Sequence, residues 1–187
     1  MALKYVIEAM DALDGIVTAS TVAEMLRVNG IDDIIITPVE SDTGLTEFIS
    51  IKIPGSSGKI NGGNVPTLGI IGRLGGIGAR PSKIGMVSDA DGAVAAIAIA
   101  LKIGQMNKKG DFLPGDVIIS THICPNAPII PHEPVPFMNS PVDMNTLNKY
   151  EVSNDMDAIL SIDATKGNKI LNRRGIAITP TVKEGYI

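Results

Sequence analysis

The sequence predicts an α/β domain with a mixed, partly parallel sheet and flanking helices. Short β-branched apolar runs alternate with helical patterns, and one alanine-rich helix lies between two such runs, which is the mark of a parallel crossover unit. The composition agrees: 44% of residues are apolar, 19% charged and 3% aromatic, with no Trp, which suits strands buried on both faces.

Each element has its own signal. Leu3, Val6, Ile7, Met10 and Leu13 recur at helical spacing and are expected to form one buried face of a first helix. A second helix follows, with Thr21 and Glu24 at capping-box spacing and Asn29-Gly30 as its stop. Residues 31–37 and 46–53 then turn β-branched, with Ile49, Ile51 and Ile53 alternating with Ser50 and Lys52, and Ser41 to Gly44 supplies a hairpin turn. Pro54 to Pro66 reads as a Gly- and Ser-rich surface loop, and Thr67 to Gly72 as a short apolar strand. Residues 73–89 show no regular pattern. Gly92 to Met106 is the clearest helix, Gly115 to Thr121 the next strand, and together with residues 67–72 they make the βαβ unit. Prolines crowd the segment from Cys124 to Pro141 and exclude regular helix there. Asp157 to Ile162 is another buried strand and Lys169 to Thr179 a last one.

The 187 residues carry 16 Lys and Arg against 20 Asp and Glu, a formal charge of -4, which argues against a general nucleic-acid or membrane-surface binder. The apolar run Ala93 to Leu101 is far shorter than the roughly 20 residues of a membrane span. Lys4 and Glu8 in the first helix do not suit a secretory signal. A soluble, cytoplasmic protein is expected, and the single Cys124 excludes an intrachain disulfide.

Ligands of open α/β sheets bind beyond the carboxyl ends of the parallel strands. Three strands deliver polar groups there: residues 67–72 run into Arg73, residues 115–121 into His122 and Cys124, and residues 157–162 into Asp163. Asp89 and Asp91 open the crossover helix at the same end, and no comparable cluster is expected at the opposite end. Asp89 equally suits an ordinary helix cap. The only two histidines, His122 and His132, fall close to Cys124 and Glu133, a set able to supply metal ligands but matching no standard zinc spacing. Cys124 is either a small buried hydrophobe or a nucleophile served by a histidine base. The run Arg73-Leu74-Gly75-Gly76-Ile77-Gly78-Ala79-Arg80 offers backbone amides at Gly75 and Gly76 and two guanidinium groups to a phosphate or carboxylate.

The segments GIIGRLGGIGARPSKIGMVSDADGAVAA, GDVIISTHICPNAPIIPHEPVPFM and MDAILSIDATKGNKILNRRGIAITPTVKEGYI closely resemble a bacterial family known as domain of unknown function 1177. The resemblance runs from the first helix to the last residue and implies no activity. More distantly, the order of elements and the phrase Gly85-x-x-x-Asp89-x-x-Gly92 are similar to the zinc-dependent exopeptidase superfamily. That similarity implies an exopeptidase-like, phosphorylase/hydrolase-like fold, with Asp89 as a bridging metal ligand and Asp163 as a later acidic one. Two departures are evident. Arg73-Leu74-Gly75 stands where the superfamily has His-x-Asp, and Cys124-Pro125 where it has a Glu pair.

The leading expectation is therefore a metal-dependent hydrolase of amide bonds in small peptides or acylated amino acids, with a rebuilt site. Asp89, His122, His132 and Asp163 would hold a divalent metal such as zinc, Glu133 would be the general base, and Arg73, Arg80, Gly75 and Gly76 would bind the substrate carboxylate. The alternatives are a non-catalytic anion or carboxylate binder on the same fold and a cysteine-dependent hydrolase using Cys124. The chain is expected to be one α/β domain over residues 1–187, the N-terminal part of a longer domain, taking a small-molecule ligand, with neither nucleic acid nor membrane as partner, and associating as a homo-oligomer.

Overall fold

The structure is a computed structural model describing residues 2–73, 76–77, 86–88, 90–125, 128–131, 133, 137–165 and 175–180. In chain order its elements are α1 (Leu3–Leu13), α2 (Ala19–Val28), β1 (Ile34–Ser41), β2 (Gly44–Ile53), β3 (Leu68–Gly72), β4 (Gly76–Ile77), β5 (Met86–Ser88), α3 (Asp91–Asn107), β6 (Val117–Ile123), β7 (Ile129–Ile130), β8 (Phe137–Met138), α4 (Met144–Glu151), β9 (Ala158–Thr165) and β10 (Gly175–Pro180). Six strands form one sheet in the order β1-β2-β6-β3-β9-β10. β3 runs parallel to both β6 and β9, while β1, β2 and β10 pair antiparallel with their neighbours, so the sheet is mixed and partly parallel as the sequence predicts. β4 with β5, and β7 with β8, form two small separate ladders.

The sheet buries two unlike faces. Ile49, Ile51, Ile70, Val117, Ile119 and Ile162 point toward α1, α2 and α3 and make the main core with Ile97 and Leu101. On the other face Ile71, Ile118 and Ile159 meet Met156. Strand alternation sends Phe48, His122 and Arg73 to this second face, beneath α4.

Glycine fixes the fit of α3 to the strand ends. A Cβ on Gly92 would meet the carbonyl oxygens of Arg73 and Ile162, and one on Gly72 would meet the backbone of Gly92. The Arg73 amide also donates to the Ile162 carbonyl at 2.8 Å, and the Thr121 hydroxyl to the Gly72 carbonyl at 2.9 Å.

Several local expectations need correction. α1 turns Val6, Ala9 and Leu13 inward and leaves Leu3, Ile7 and Met10 exposed, because the five apolar residues span too wide an arc to be covered by α3 alone. α2 is capped by Thr18 with Thr21 as its box partner, rather than by Thr21 with Glu24. α3 has Ala90 at its cap position and Asp91 in its first turn. The first strand lies at residues 34–41, and β6 runs on to Ile123, so His122 stands inside the strand rather than after it. Short strands β4 and β5 occupy part of residues 73–89. No helix of the described residues is long and apolar enough to cross a membrane.

Candidate functional site

The carboxyl ends of β3 and β6 carry a buried charge network under α4. His122 and Glu151 are both fully buried, and the His122 Nδ1 lies 2.6 Å from the Glu151 Oε1. Arg73 Nε lies 3.2 Å from the other carboxylate oxygen, an ion pair whose N–H is too poorly aligned for a hydrogen bond. The remaining guanidinium nitrogens of Arg73 reach the Met144 sulfur and the Asn148 side-chain oxygen, so one arginine ties the end of β3 to three residues on one side of α4.

α4 forms where Asp143 caps it. The Asp143 carboxylate accepts from the Thr146 amide at 2.7 Å, and that bond holds the Asp143 carboxyl below its usual range. Leu147 and Glu151, four residues apart, share the inward side of the helix. Phe48 completes the wall, its ring 5.5 Å from that of His122 and stacked 4.8 Å from Tyr150.

The electrostatics of His122 follow from competing effects. Burial alone pushes its pKa down, but the neighbouring Cys124 and the hydrogen bond and charge of Glu151 outweigh burial and lift it to about 9. The ring is therefore an imidazolium at neutral pH. With Arg73 it places two positive charges beside one buried carboxylate. Its Nε2 makes no aligned hydrogen bond among the described residues.

Cys124 follows on the same side of the chain, fully buried, with its sulfur 3.6 Å from the Thr46 hydroxyl. Asp163, next to the inward-facing Ile162, turns to the same face of the sheet as Arg73 and is exposed. Glu133 is exposed in a bend. Gly76 belongs to β4. Asp89, His132, Arg80 and Gly75 lie outside the described residues. Among the described residues no group of three or more His, Cys, Asp or Glu side chains is placed to hold a metal ion. The structure thus brings Arg73, His122 and Cys124 to one edge, as expected, and adds Glu151 and Asn148, which sequence reasoning passed over.

The opposite end of the parallel strands is not empty, contrary to expectation. Lys52 pairs with Asp155 at 3.4 Å and Lys59 with Asp157 at 2.6 Å around a cavity of about 330 Å³. Beneath it the buried Asp116 accepts from the amides of Gly55 and Ile60 at 2.8 and 2.9 Å, holding the loop after β2.

The family model described as "Protein of unknown function (DUF1177)" matches residues 37–187. The chain belongs to the DUF1177 family. No curated protein matches it. Among solved structures this DUF1177 chain is similar to the bottromycin maturation enzyme BotP, at 15% identity and a TM-score of 0.38, covering 71% of this chain and 33% of that one. It is also similar to BotP in complex with Mn, at 16% identity and a TM-score of 0.40, covering 71% and 34%. The DUF1177 chain thus spans about a third of the length of BotP.

Proposed function

We propose that this chain is a divalent-metal-dependent hydrolase of amide bonds in small peptides or acylated amino acids, with His122 as its anchored ligand. One observation carries the reading. A fully buried imidazole has Nδ1 fixed by the Glu151 carboxylate, while Nε2 has no aligned partner among the described residues. Buried polar atoms are nearly always satisfied, and a carboxylate on the far nitrogen is the usual support of a metal-binding histidine. Asp163 on the same face, with Asp89 and His132, are the companions we assign to it. A bound divalent ion would polarise the scissile carbonyl and supply a water-derived nucleophile at neutral pH.

The chain's own groups have separate tasks in this scheme. Glu151 fixes the ring tautomer and orientation, keeping the proton on Nδ1. Arg73, tied to Asn148, lies 3.2 Å from the second Glu151 carboxylate oxygen. Because all three of its nitrogens are engaged, Arg73 orients Glu151, and the substrate carboxylate falls to Arg80 and the amides of Gly75 and Gly76. Glu133 is assigned as general base. The Nε2 proton must leave before that nitrogen can donate a lone pair, so metal uptake releases a proton and strengthens as pH rises toward about 9.

The test is metal content after chelation and reloading with zinc or manganese, read with thermal stability and hydrolysis of N-acyl amino acids. Stoichiometric uptake, a raised Tm and their loss in His122→Ala are expected. No uptake and no shift in Tm would overturn the proposal.

A second reading makes Cys124 the nucleophile, paired with His122 and with Glu151 as the orienting acid, and the placement of Cys124 two residues after His122, both fully buried on one side of the chain, favours it. It predicts rapid alkylation of Cys124 at neutral pH, indifferent to chelator. Sluggish alkylation removes it.

A further inference from the structure

α1 carries an apolar stripe that the core does not use. Leu3, Ile7 and Met10 are 61, 50 and 44% exposed, and their spacing of four then three residues is that of a helix seam prepared to meet another helix. The stripe borders a groove of about 290 Å³ between α1 and α3, lined by Val6, Met10, Val94 and Ala95. A second pocket of about 250 Å³ shares Val6 and Ala95 and extends the groove toward Lys102. Scattered exposed apolar residues are ordinary, but a stripe joined to a groove marks an interaction surface.

Charge identifies what covers it. The first helix runs antiparallel to α3 here, since Met10 lines the groove with Asp91 and Tyr5 lines it with Lys102. One end of the groove is therefore positive: Lys4 and Lys102 both hold their ammonium groups over the Tyr5 ring, at 5.7 and 5.9 Å. The other end is negative, with Asp11, Asp14 and Asp91. Lys4 and Asp11 are seven residues apart, so they lie on the same flank of the stripe with opposite signs.

We propose that this surface is an isologous dimer interface that takes a second copy of this chain, its α1 laid antiparallel across the first about a two-fold axis near Ile7. A two-fold axis exchanges the two ends, so the Lys4 end of each copy faces the Asp11 end of the other and both charge pairs are satisfied at once. Parallel helices would instead set like charges side by side. The interface lies on the α1–α3 side of the sheet, away from His122 and Glu151.

Sedimentation equilibrium of the full chain tests this. The wild type is expected at about twice the 19.6 kDa chain mass. Ile7→Glu and, independently, Met10→Lys are expected to run as monomers with unchanged circular dichroism. Lys4→Glu and Asp11→Lys should each weaken association about tenfold, and the double swap Lys4→Glu with Asp11→Lys should restore it. A monomeric wild type, or a dimer that survives both apolar-to-charged changes, overturns the proposal. Failure of the double swap to restore association overturns the antiparallel arrangement. None of these outcomes bears on metal uptake, which reports on the other face.

Discussion

The two ends of the parallel strands handle charge in opposite ways. At the amino end Lys52–Asp155 and Lys59–Asp157 are open to solvent, and the buried Asp116 carboxylate is hydrogen-bonded by backbone amides of the loop after β2. At the carboxyl end Arg73, His122 and Glu151 come from three different elements and lie under a helix, with two cations sharing one carboxylate. The first arrangement is what loop anchoring requires. The second is a poor way to stabilise a fold, because desolvating three charged groups costs about as much as their attraction returns. A network of that kind at a strand-end edge has a better rationale in chemistry.

Breaking the buried network should have the largest effect. Glu151→Ala leaves an imidazolium and a guanidinium without their carboxylate and is expected to cost about 3–5 kcal/mol in urea unfolding. A loss below 1 kcal/mol would mean the network is solvated and the contrast between the ends false.

Next comes pH, measured on metal-free protein in chelator. The folded pKa of His122, about 9, lies above its unfolded value of 6.5, so protonation favours the folded state. Its contribution, about 3 kcal/mol, is complete below pH 6.5 and is lost as pH rises through 9. Thermal melts from pH 6 to 10 should show this decline, and His122→Gln should flatten it. An imidazole resonance titrating below its ordinary value would contradict it.

At the amino end Asp116→Ala removes two charge-assisted hydrogen bonds from backbone donors and is expected to cost about 2 kcal/mol, without altering the pH profile. The smallest effect belongs to Lys59→Ala, whose exposed ion pair should be worth under about 1 kcal/mol and should fade with added salt. If Lys59→Ala destabilised as strongly as Glu151→Ala, the two ends would not differ in kind.

Much of this sheet was legible in the residues. The alternating isoleucines of β2, the apolar runs of β3, β6 and β9 and the alanine-rich α3 each had a periodicity that burial then honoured. α4 was not, because Leu147 and Glu151 are its only buried residues and Asn145, Asn148 and Lys149 hide the apolar rhythm. The Asp143 cap, three residues before Thr146, was the available signal. Glu151 meets His122 across 29 positions and Arg73 meets Asn148 across 75, separations at which no local pattern operates. Arg73 was recognised as a strand-end cation, but its occupation by α4 belongs to tertiary structure alone.

The contact of Gly92 with the carbonyls of Arg73 and Ile162 also decides how a ligand could arrive. With one backbone lying directly on another, no solvent layer separates the start of α3 from the described ends of β3 and β9. That side is a closed wall. His122 faces the other way, toward α4, so the helix that holds Glu151 also lies over the ring on that face of the sheet.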